Sequence, residues 1–565
     1  MNKKNTENII LEEYENEFSF KKKKSDLKID FNRIAFIFFI FFSISVIYSI
    51  QLLHLGSLKL EYKETKPPIN KKNYRADIID RNGDYLVKSV SSINIGINPV
   101  DVIDKKRLLI NLKWIFPNKN YFEIKKKLNK NKFFNFEKKI SPENYEKIMA
   151  LGDKSIRPEE KLIRLYPQEN LFSHIIGQID DDNNGISGLE KSFDNKLKET
   201  RSPLQLTVDI DIQFLIREEL IKYQKIFRAS GSAAILMDVN NGNVISMVSL
   251  PDFNLNERKS ITDINYINRV TKGTYELGSV FKTFTFAAGL NEGVIETDTM
   301  FLDLPKSIPC AGFPIREYDK DMPSDISAEQ ILIRSGNIGS VRIAQSVEKL
   351  GKNRFKLFLE KIGVLSQIEF DIEEVATQKE FFFGKCKLAT AAFGHGITTT
   401  ILQLAKGYAV IANGGFNIKP KLIKENIGST EKGERLLKKG ISERVMPILR
   451  KIVSTEEGTA NQANVEGFNV AGKTGTAQKP IKGQYSNVKV NTFASIFPST
   501  KPKFVFIVML EAPKTNSEYV YEYRNKPGKT QTGTPYNTAG WTSVEVAGKI
   551  IEKIGPILAT KFIEN

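Results

Sequence analysis

Lys473-Thr474-Gly475-Thr476 decides the fold once it is taken with two stretches upstream, Ser279-Val280-Phe281-Lys282 and Ser335-Gly336-Asn337. In chain order they spell S-x-x-K, S-x-N and K-T-G. Their physical reading is a nucleophile with its base, a proton relay with an amide clamp, and a carboxylate-binding strand. S-x-x-K alone is weak in a lysine-rich chain and recurs at Ser19, Ser25 and Ser346, among others; Ser92-Ile93-Asn94 is a second S-x-N. K-T-G occurs once. Ser279 differs from its decoys by context: Gly278-Ser279 opens the apolar, helix-like run Phe284–Leu290. A motif counts only in the structural setting its chemistry needs.

Working outward, 565 residues exceed one ordinary domain, so two or three are expected. A hydrophobic fraction of 41% is ample for buried cores. The formal net charge of +17 raises nucleic acid or an anionic membrane as partners. The lysines are spread out, with no zinc-finger or aromatic RNA-binding signature. The charge is therefore read as solvation plus membrane attraction, and no nucleic acid is expected. Two cysteines, Cys310 and Cys386, and three histidines are too few and too scattered for a zinc or iron–sulfur site, so no metal or cofactor is expected. Whether the cysteines pair stays open, because sequence does not give their separation in space. No G-x-S-x-G elbow is present, which disfavours a conventional Ser-His-Asp hydrolase.

Ile34–Leu53 is an uncharged run long enough to cross a bilayer of about 30 Å. It leads into His54-Leu55-Gly56-Ser57 without a small-residue cleavage site, which favours an uncleaved anchor over a signal peptide. Lys21–Lys24, Lys28 and Arg33 flank it on the N-terminal side. By the positive-inside rule that side is cytoplasmic and the large C-terminal part lies outside, across the cytoplasmic membrane.

Residues 1–33 read as a basic, mostly disordered cytoplasmic tail, 34–53 as the transmembrane anchor, and Lys66–Asn70 as a short stiff linker. Asn82-Gly83 between two apolar runs signals a hairpin. Residues about 105–140, rich in lysine, phenylalanine and asparagine, read as an insert of solvated helices. Gly231–Met247 reads as two strands joined by a tight turn, followed by helices to about residue 455. Phe468–Gly472, Thr492–Phe497 and Phe504–Leu510 read as strands, and Val544–Ile554 as an amphipathic helix. Strands, a helical middle, then strands and a helix give an α+β chain, a mixed sheet with an inserted helical lobe.

In these motifs the chain resembles the class B penicillin-binding proteins, over nearly everything from residue 75 to about 550. Arg75-Ala76-Asp77-Ile78-Ile79-Asp80-Arg81-Asn82-Gly83 is similar to the R-G-x-I-x-D-R-N-G pattern that opens their non-catalytic pedestal, with Ala76 where glycine is usual. Arg164-Leu165-Tyr166-Pro167, His174, Gly177 and Gly188-Leu189-Glu190 resemble a second pedestal signature, and Ala392–Ile397 the family's glycine-rich segment. The resemblance implies a pedestal, or dimerisation-type, domain over 54–228 and a transpeptidase domain over 229–557.

It also implies roles. Ser279 is the expected nucleophile and Lys282 its base. Lys282 must be neutral to act, so burial and a nearby cation, Lys473, are expected to lower its pKa. Ser335 would bridge the two lysines and pass a proton to the leaving amine, and Asn337 would bond the substrate's peptide groups. Thr474 and Thr476 would hold the terminal carboxylate, and Gly475 would let the strand approach. Backbone N–H groups of Ser279 and Thr476 are the expected oxyanion hole. Leu277 stands where proline is common, Gly336 sits in the variable position of S-x-N, and His395 is read as a rim residue.

The implied reaction is acyl transfer from D-Ala-D-Ala of a peptidoglycan stem peptide on a lipid-linked precursor, inhibited by β-lactams. A β-lactamase or carboxypeptidase, and a catalytically silent β-lactam-binding scaffold, are the rivals. The membrane-tethered pedestal disfavours a free β-lactamase, and the intact Ser279, Lys282, Ser335, Asn337 and Lys473 disfavour the scaffold. Thr538-Ala539-Gly540-Trp541 and Gly548–Ile551 look more like the septal, division-specific enzyme (penicillin-binding protein 3 type) than an elongation enzyme. A separate glycosyltransferase and membrane proteins of cell division are the implied partners.

Overall fold

The computed structural model describes residues 31–57, 74–257, 266–310, 314–376, 385–425, 433–481 and 484–563. The tail to residue 30 and the Lys66–Asn70 linker lie outside them. The chain divides into two compact units, Met1–Ile69 and Asn70–Asn565.

In the first unit a helix spans Phe31–Ser57. Its stretch Ala35–Leu53 is long and apolar enough to cross a membrane. At 1.5 Å per residue these 19 residues cover about 29 Å, close to the thickness of a hydrocarbon core. Phe38 and Leu53 are about three-quarters exposed, so among the described residues no protein core covers this helix.

The second unit begins with the expected hairpin. Ile78–Ile79 pairs antiparallel with Tyr85–Ile97, and Ile79 faces Tyr85. Gly83 takes φ +100°, which an L side chain rarely adopts. The Asp80 carboxylate accepts the turn N–H groups of Asn82 and Asp84 at 2.7 and 3.0 Å. Tyr85–Ile97 then runs antiparallel to Ile156–Leu165 over ten paired positions.

Helices Lys105–Ile115, Tyr121–Leu128 and Pro142–Met149 pack a small separate core with Leu108, Leu112, Ile124, Leu128 and Ile148. Asp104, Asn120 and Ser141 cap them, each side chain accepting orphan backbone N–H groups. The all-helical reading of this insert needs one correction. Phe134–Glu137 is a strand that adds to Tyr85–Ile97, with Phe136 buried and Asn135 exposed in period two.

The two pedestal signatures meet in a buried ion cluster. Glu190 accepts from Arg75 Nε at 2.5 Å and from Arg164 Nε at 2.8 Å, and Arg75 also pairs with Asp194 at 2.6 Å. Ala76 is fully buried without a left-handed backbone, so the alanine sits there free of strain. The pedestal base shares one continuous core with the rest of the unit, with Leu86, Phe172 and Leu189 in the same cluster as Ile235 and Phe506.

The main sheet has the strand order Ala471–Ile481, Gln484–Phe497, Phe504–Glu511, Gly231–Asp238, Val244–Leu250. Every pairing in it is antiparallel. A parallel strand pairing lies in the pedestal, between Ile78–Ile79 and Leu204–Gln205, and an isolated parallel bridge joins Asn243 to Lys421. All eight residues of Gly231–Asp238 and of Phe504–Glu511 are buried, which requires cover on both faces. Helices Ile210–Ile226 and Ser543–Leu558 pack together against this sheet, and Ile401–Ala412 and Ile441–Ser454 also pack against it. The strand read from Phe468 starts only at Ala471.

The lobe before the sheet's last three strands holds helices Lys282–Glu292 and Asn337–Lys349. It also contains two short strand pairs that no run of alternation signalled, Ser307–Ile308 with Ile315–Arg316 and Met300–Phe301 with Ile326–Ser327. Cys310 and Cys386 are linked as a disulfide, their Cα atoms 5.4 Å apart across a sequence separation of 76.

Candidate active site

Ser279 stands in a short 3₁₀ turn, Gly278–Phe281, and the helix Lys282–Glu292 starts where the turn ends. Lys282 is thus the first residue of that helix rather than one turn inside it, and its N–H donates to the Ser279 carbonyl. Gly278 makes the turn possible. Its φ is +62°, its N–H donates to the Gly394 carbonyl at 3.2 Å, and a Cβ there would press on the Thr476 carbonyl. Leu277 keeps φ −104° and is fully buried, so hydrophobic packing holds the position where a proline ring would restrict it.

The strand Ala471–Ile481 crosses directly over this turn. A Cβ on Gly475 would collide with the Leu277 carbonyl and stand 2.9 Å from Val280 Cγ1. Glycine lets the backbone of Thr474–Thr476 lie against the Ser279 turn. Thr474 and Thr476 flank it. The Thr474 hydroxyl pairs with that of Thr459 at 2.8 Å, and the Thr476 hydroxyl accepts from the Ala539 N–H at 2.9 Å.

Lys282 and Lys473, nearly two hundred residues apart in sequence, meet at Ser335. Lys282 Nζ donates to the Ser335 carbonyl at 2.5 Å, to Ser335 Oγ at 3.1 Å and to Asn337 Oδ1 at 2.7 Å. Lys473 Nζ donates to the same Oγ at 2.9 Å. Ser335 reaches this place through a left-handed backbone, φ +62°, unusual for a residue with a side chain. A hydroxyl offers two lone pairs and one proton, so this one can relay a proton between the amines.

Both amines are buried, at 1% and 0% exposure, and burial disfavours their charged forms. The Lys282 ammonium is pushed down to about 7, by burial first, with Glu317 opposing. Lys473 is driven well below its usual value by burial and then by repulsion from Lys282. Burial is the main cause of the lowered Lys282, the two lysines repel one another, and a carboxylate the sequence did not announce, Glu317, opposes the shift. The pair holds one positive charge more readily than two.

Several contributors carried no sequence signal. Glu317 accepts the backbone N–H of Asn337 at 2.6 Å and of Ile338 at 2.7 Å, while the Arg316 carbonyl accepts from Asn337 Nδ2 at 2.7 Å. Glu276, three residues before the proposed nucleophile, has its carboxyl pushed up by burial and accepts from the Tyr485 hydroxyl at 3.1 Å. His395 lies between the rings of Phe393 and Tyr485, outside the lysine–serine hydrogen bonds, and burial lowers its pKa. Among the described residues no three His, Cys, Asp or Glu side chains cluster as a metal-ligand set.

A serine at the head of a helix, two buried amines joined through a second hydroxyl, and a strand edge laid across the serine can together perform acyl transfer. Such a site on an α+β scaffold defines the serine acyl-transferases that react with penicillin. The family described as the penicillin binding protein transpeptidase domain matches residues 232–529, and the penicillin-binding protein dimerisation domain matches 70–219. The chain belongs to the penicillin-binding protein transpeptidase family. It is 28% identical over 507 residues to a Caulobacter vibrioides protein named "Probable peptidoglycan D,D-transpeptidase FtsI", covering 86% of this chain and 82% of that protein. Peptidoglycan D,D-transpeptidase FtsI of Escherichia coli K12 is 26% identical, over 79% of this chain and 80% of its own length. In fold it is similar to crystalline penicillin-binding protein 3 of Mycobacterium tuberculosis in complex with aztreonam. That match has a TM-score of 0.63 and 21% identity, and covers 87% of this chain and 96% of the other.

Proposed function

We propose that the chain is a peptidoglycan D,D-transpeptidase that cross-links stem peptides through an acyl-enzyme on Ser279. The observation that carries this reading is the hydrogen-bonded set Lys282–Ser335–Lys473 placed beside the Ser279 turn. Ser279 Oγ attacks the carbonyl of the D-Ala-D-Ala amide as its proton passes to neutral Lys282. The new C–O bond forms, the C–N bond breaks, and the departing D-alanine amine takes a proton through Ser335. Negative charge on the carbonyl oxygen is met by the N–H groups of Ser279 and Thr476, each such donor being worth about 3 kcal/mol. Thr474 and Thr476 hold the terminal carboxylate, while Lys473 Nζ donates to Ser335 Oγ and keeps the relay in place. The amine of a second stem peptide then attacks the ester, gives its proton to Lys282 and returns Ser279 to its resting form.

Within this reading Ile34–Leu53 anchors the chain once in the cytoplasmic membrane, with the N-terminus inside and the catalytic part outside. Residues 54–228 form the pedestal and 229–557 the transpeptidase domain. The work is septal wall synthesis, with a separate glycosyltransferase and division proteins as partners, a role supported by the resemblance of the Thr538–Trp541 region. The test is labelling of the detergent-solubilised chain with a fluorescent penicillin, wild type beside Ser279→Ala, followed by intact mass. A stable adduct in wild type alone is expected. Fast turnover of the drug would make the protein a β-lactamase, and no adduct on folded wild type would leave only a scaffold.

A further inference from the structure

The turn that presents Ser335 and Asn337 is held from outside by a loop some twenty residues upstream. Helix Asn337–Lys349 starts after Gly336, which has no side chain to cap it. Its first N–H groups need partners, and both oxygens of Glu317 supply them, one to Asn337 and one to Ile338. The adjoining Arg316 carbonyl takes Asn337 Nδ2, which leaves Asn337 Oδ1 facing Lys282 Nζ at 2.7 Å. Before the turn, Arg334 is bound by Asp319 of the same loop at 2.5 Å. The loop thus grips the chain on both sides of Ser335, the residue forced to φ +62°. A left-handed serine persists only where its surroundings over-determine it.

We propose that Glu317 is a positioning residue for the acyl-transfer reaction: its carboxylate fixes the Ser335–Asn337 turn against Lys282 and sets the charge environment of that amine. The proposal rests on the site reading above. Glu317 acts through Lys282, Ser335 and Asn337 and has no proposed contact with substrate. The charged and titratable groups that bear on Lys282 come from three segments: Lys473 on the strand Ala471–Ile481, Glu317 after the strand Ile315–Arg316, and His395 in the glycine-rich turn. Glu317 favours the protonated form of Lys282, and neutral Lys282 is the reacting form. Loss of its charge therefore moves the acid limb of acylation to lower pH, while loss of its two hydrogen bonds lowers the plateau.

The experiment measures the rate constant of acylation by a chromogenic β-lactam against pH, on the full chain, for wild type, Glu317→Gln and Glu317→Asp. A rate constant, unlike an amplitude, does not depend on the folded fraction. For Glu317→Gln we expect an acid limb about half a unit or more below wild type and a plateau lower by about 3- to 30-fold. Glu317→Asp keeps the charge on a shorter arm, so its limb stays at the wild-type pH while its plateau falls. A Gln variant that only melts earlier, with limb and plateau unchanged, overturns the proposal. If Gln does not fold, a Glu317→Asp limb displaced like that of an uncharged side chain, or an unaltered plateau, overturns it too. Absence of acylation in wild type would instead defeat the functional reading itself.

Discussion

At the scale of residues, the site depends on an amine made neutral by burial. A lysine with its ordinary pKa near 10.4 would be almost wholly protonated at neutral pH and useless as a base. Lys282, buried and pushed down to about 7, is neutral in substantial fraction. The sign follows directly: below about pH 7 the amine is protonated and acylation slows, and above it the rate reaches a plateau. A rate profile of wild type should therefore rise with pH through about 7. Lys282→Ala should lose acylation by about 10²- to 10⁴-fold across the whole range, the usual contribution of a general base. A flat wild-type profile between pH 5 and 9 would remove Lys282 from the role of base.

Among the elements, the contact that matters most is between the strand Ala471–Ile481 and the turn Gly278–Phe281. It has no tolerance for a side chain, because Gly475 faces the Leu277 carbonyl and Val280. Gly475 does not have a positive φ, so its requirement is one of space alone. Gly475→Ala should cost about 1–3 kcal/mol, the range for overpacking a tight core, and should slow acylation by at least about tenfold, as displacement of a reacting geometry does. Thermal unfolding and the acylation rate measured together decide it, since a variant normal in both would mean that the strand does not press on the turn. The sequence motifs foretold this packing only in part. K-T-G announces a glycine that must admit something close, and the tertiary structure identifies that something as the backbone two residues before the proposed nucleophile.

For the whole molecule, the division into Met1–Ile69 and Asn70–Asn565 predicts what can be removed. The second unit contains the pedestal base and the main sheet in one continuous core. Deletion of residues 1–73 should give a soluble protein that binds penicillin with the wild-type acylation rate constant, whereas the full chain should require detergent. Loss of folding in the truncated protein, seen by circular dichroism, would show that the apolar helix contributes to the second unit.

By itself the sequence determined the membrane-length helix, the Asn82-Gly83 hairpin, the alternation of strands and helices, and the residue types of the site. Each is local, set by periodicity, turn chemistry or a short motif. It also carried the two pedestal signatures, though not their meeting, since Arg75, Arg164 and Glu190 come together only when distant strands and a helix pack. Glu317, Thr459 and Tyr485 were invisible for the same reason, as was the disulfide between Cys310 and Cys386. No spacing rule links a carboxylate to a helix start twenty residues later through a short strand pair. Only the tertiary structure decided that burial is the main cause of the lowered Lys282 and that Glu317 opposes it, because desolvation depends on what surrounds a group in space, and that environment is built from the whole chain.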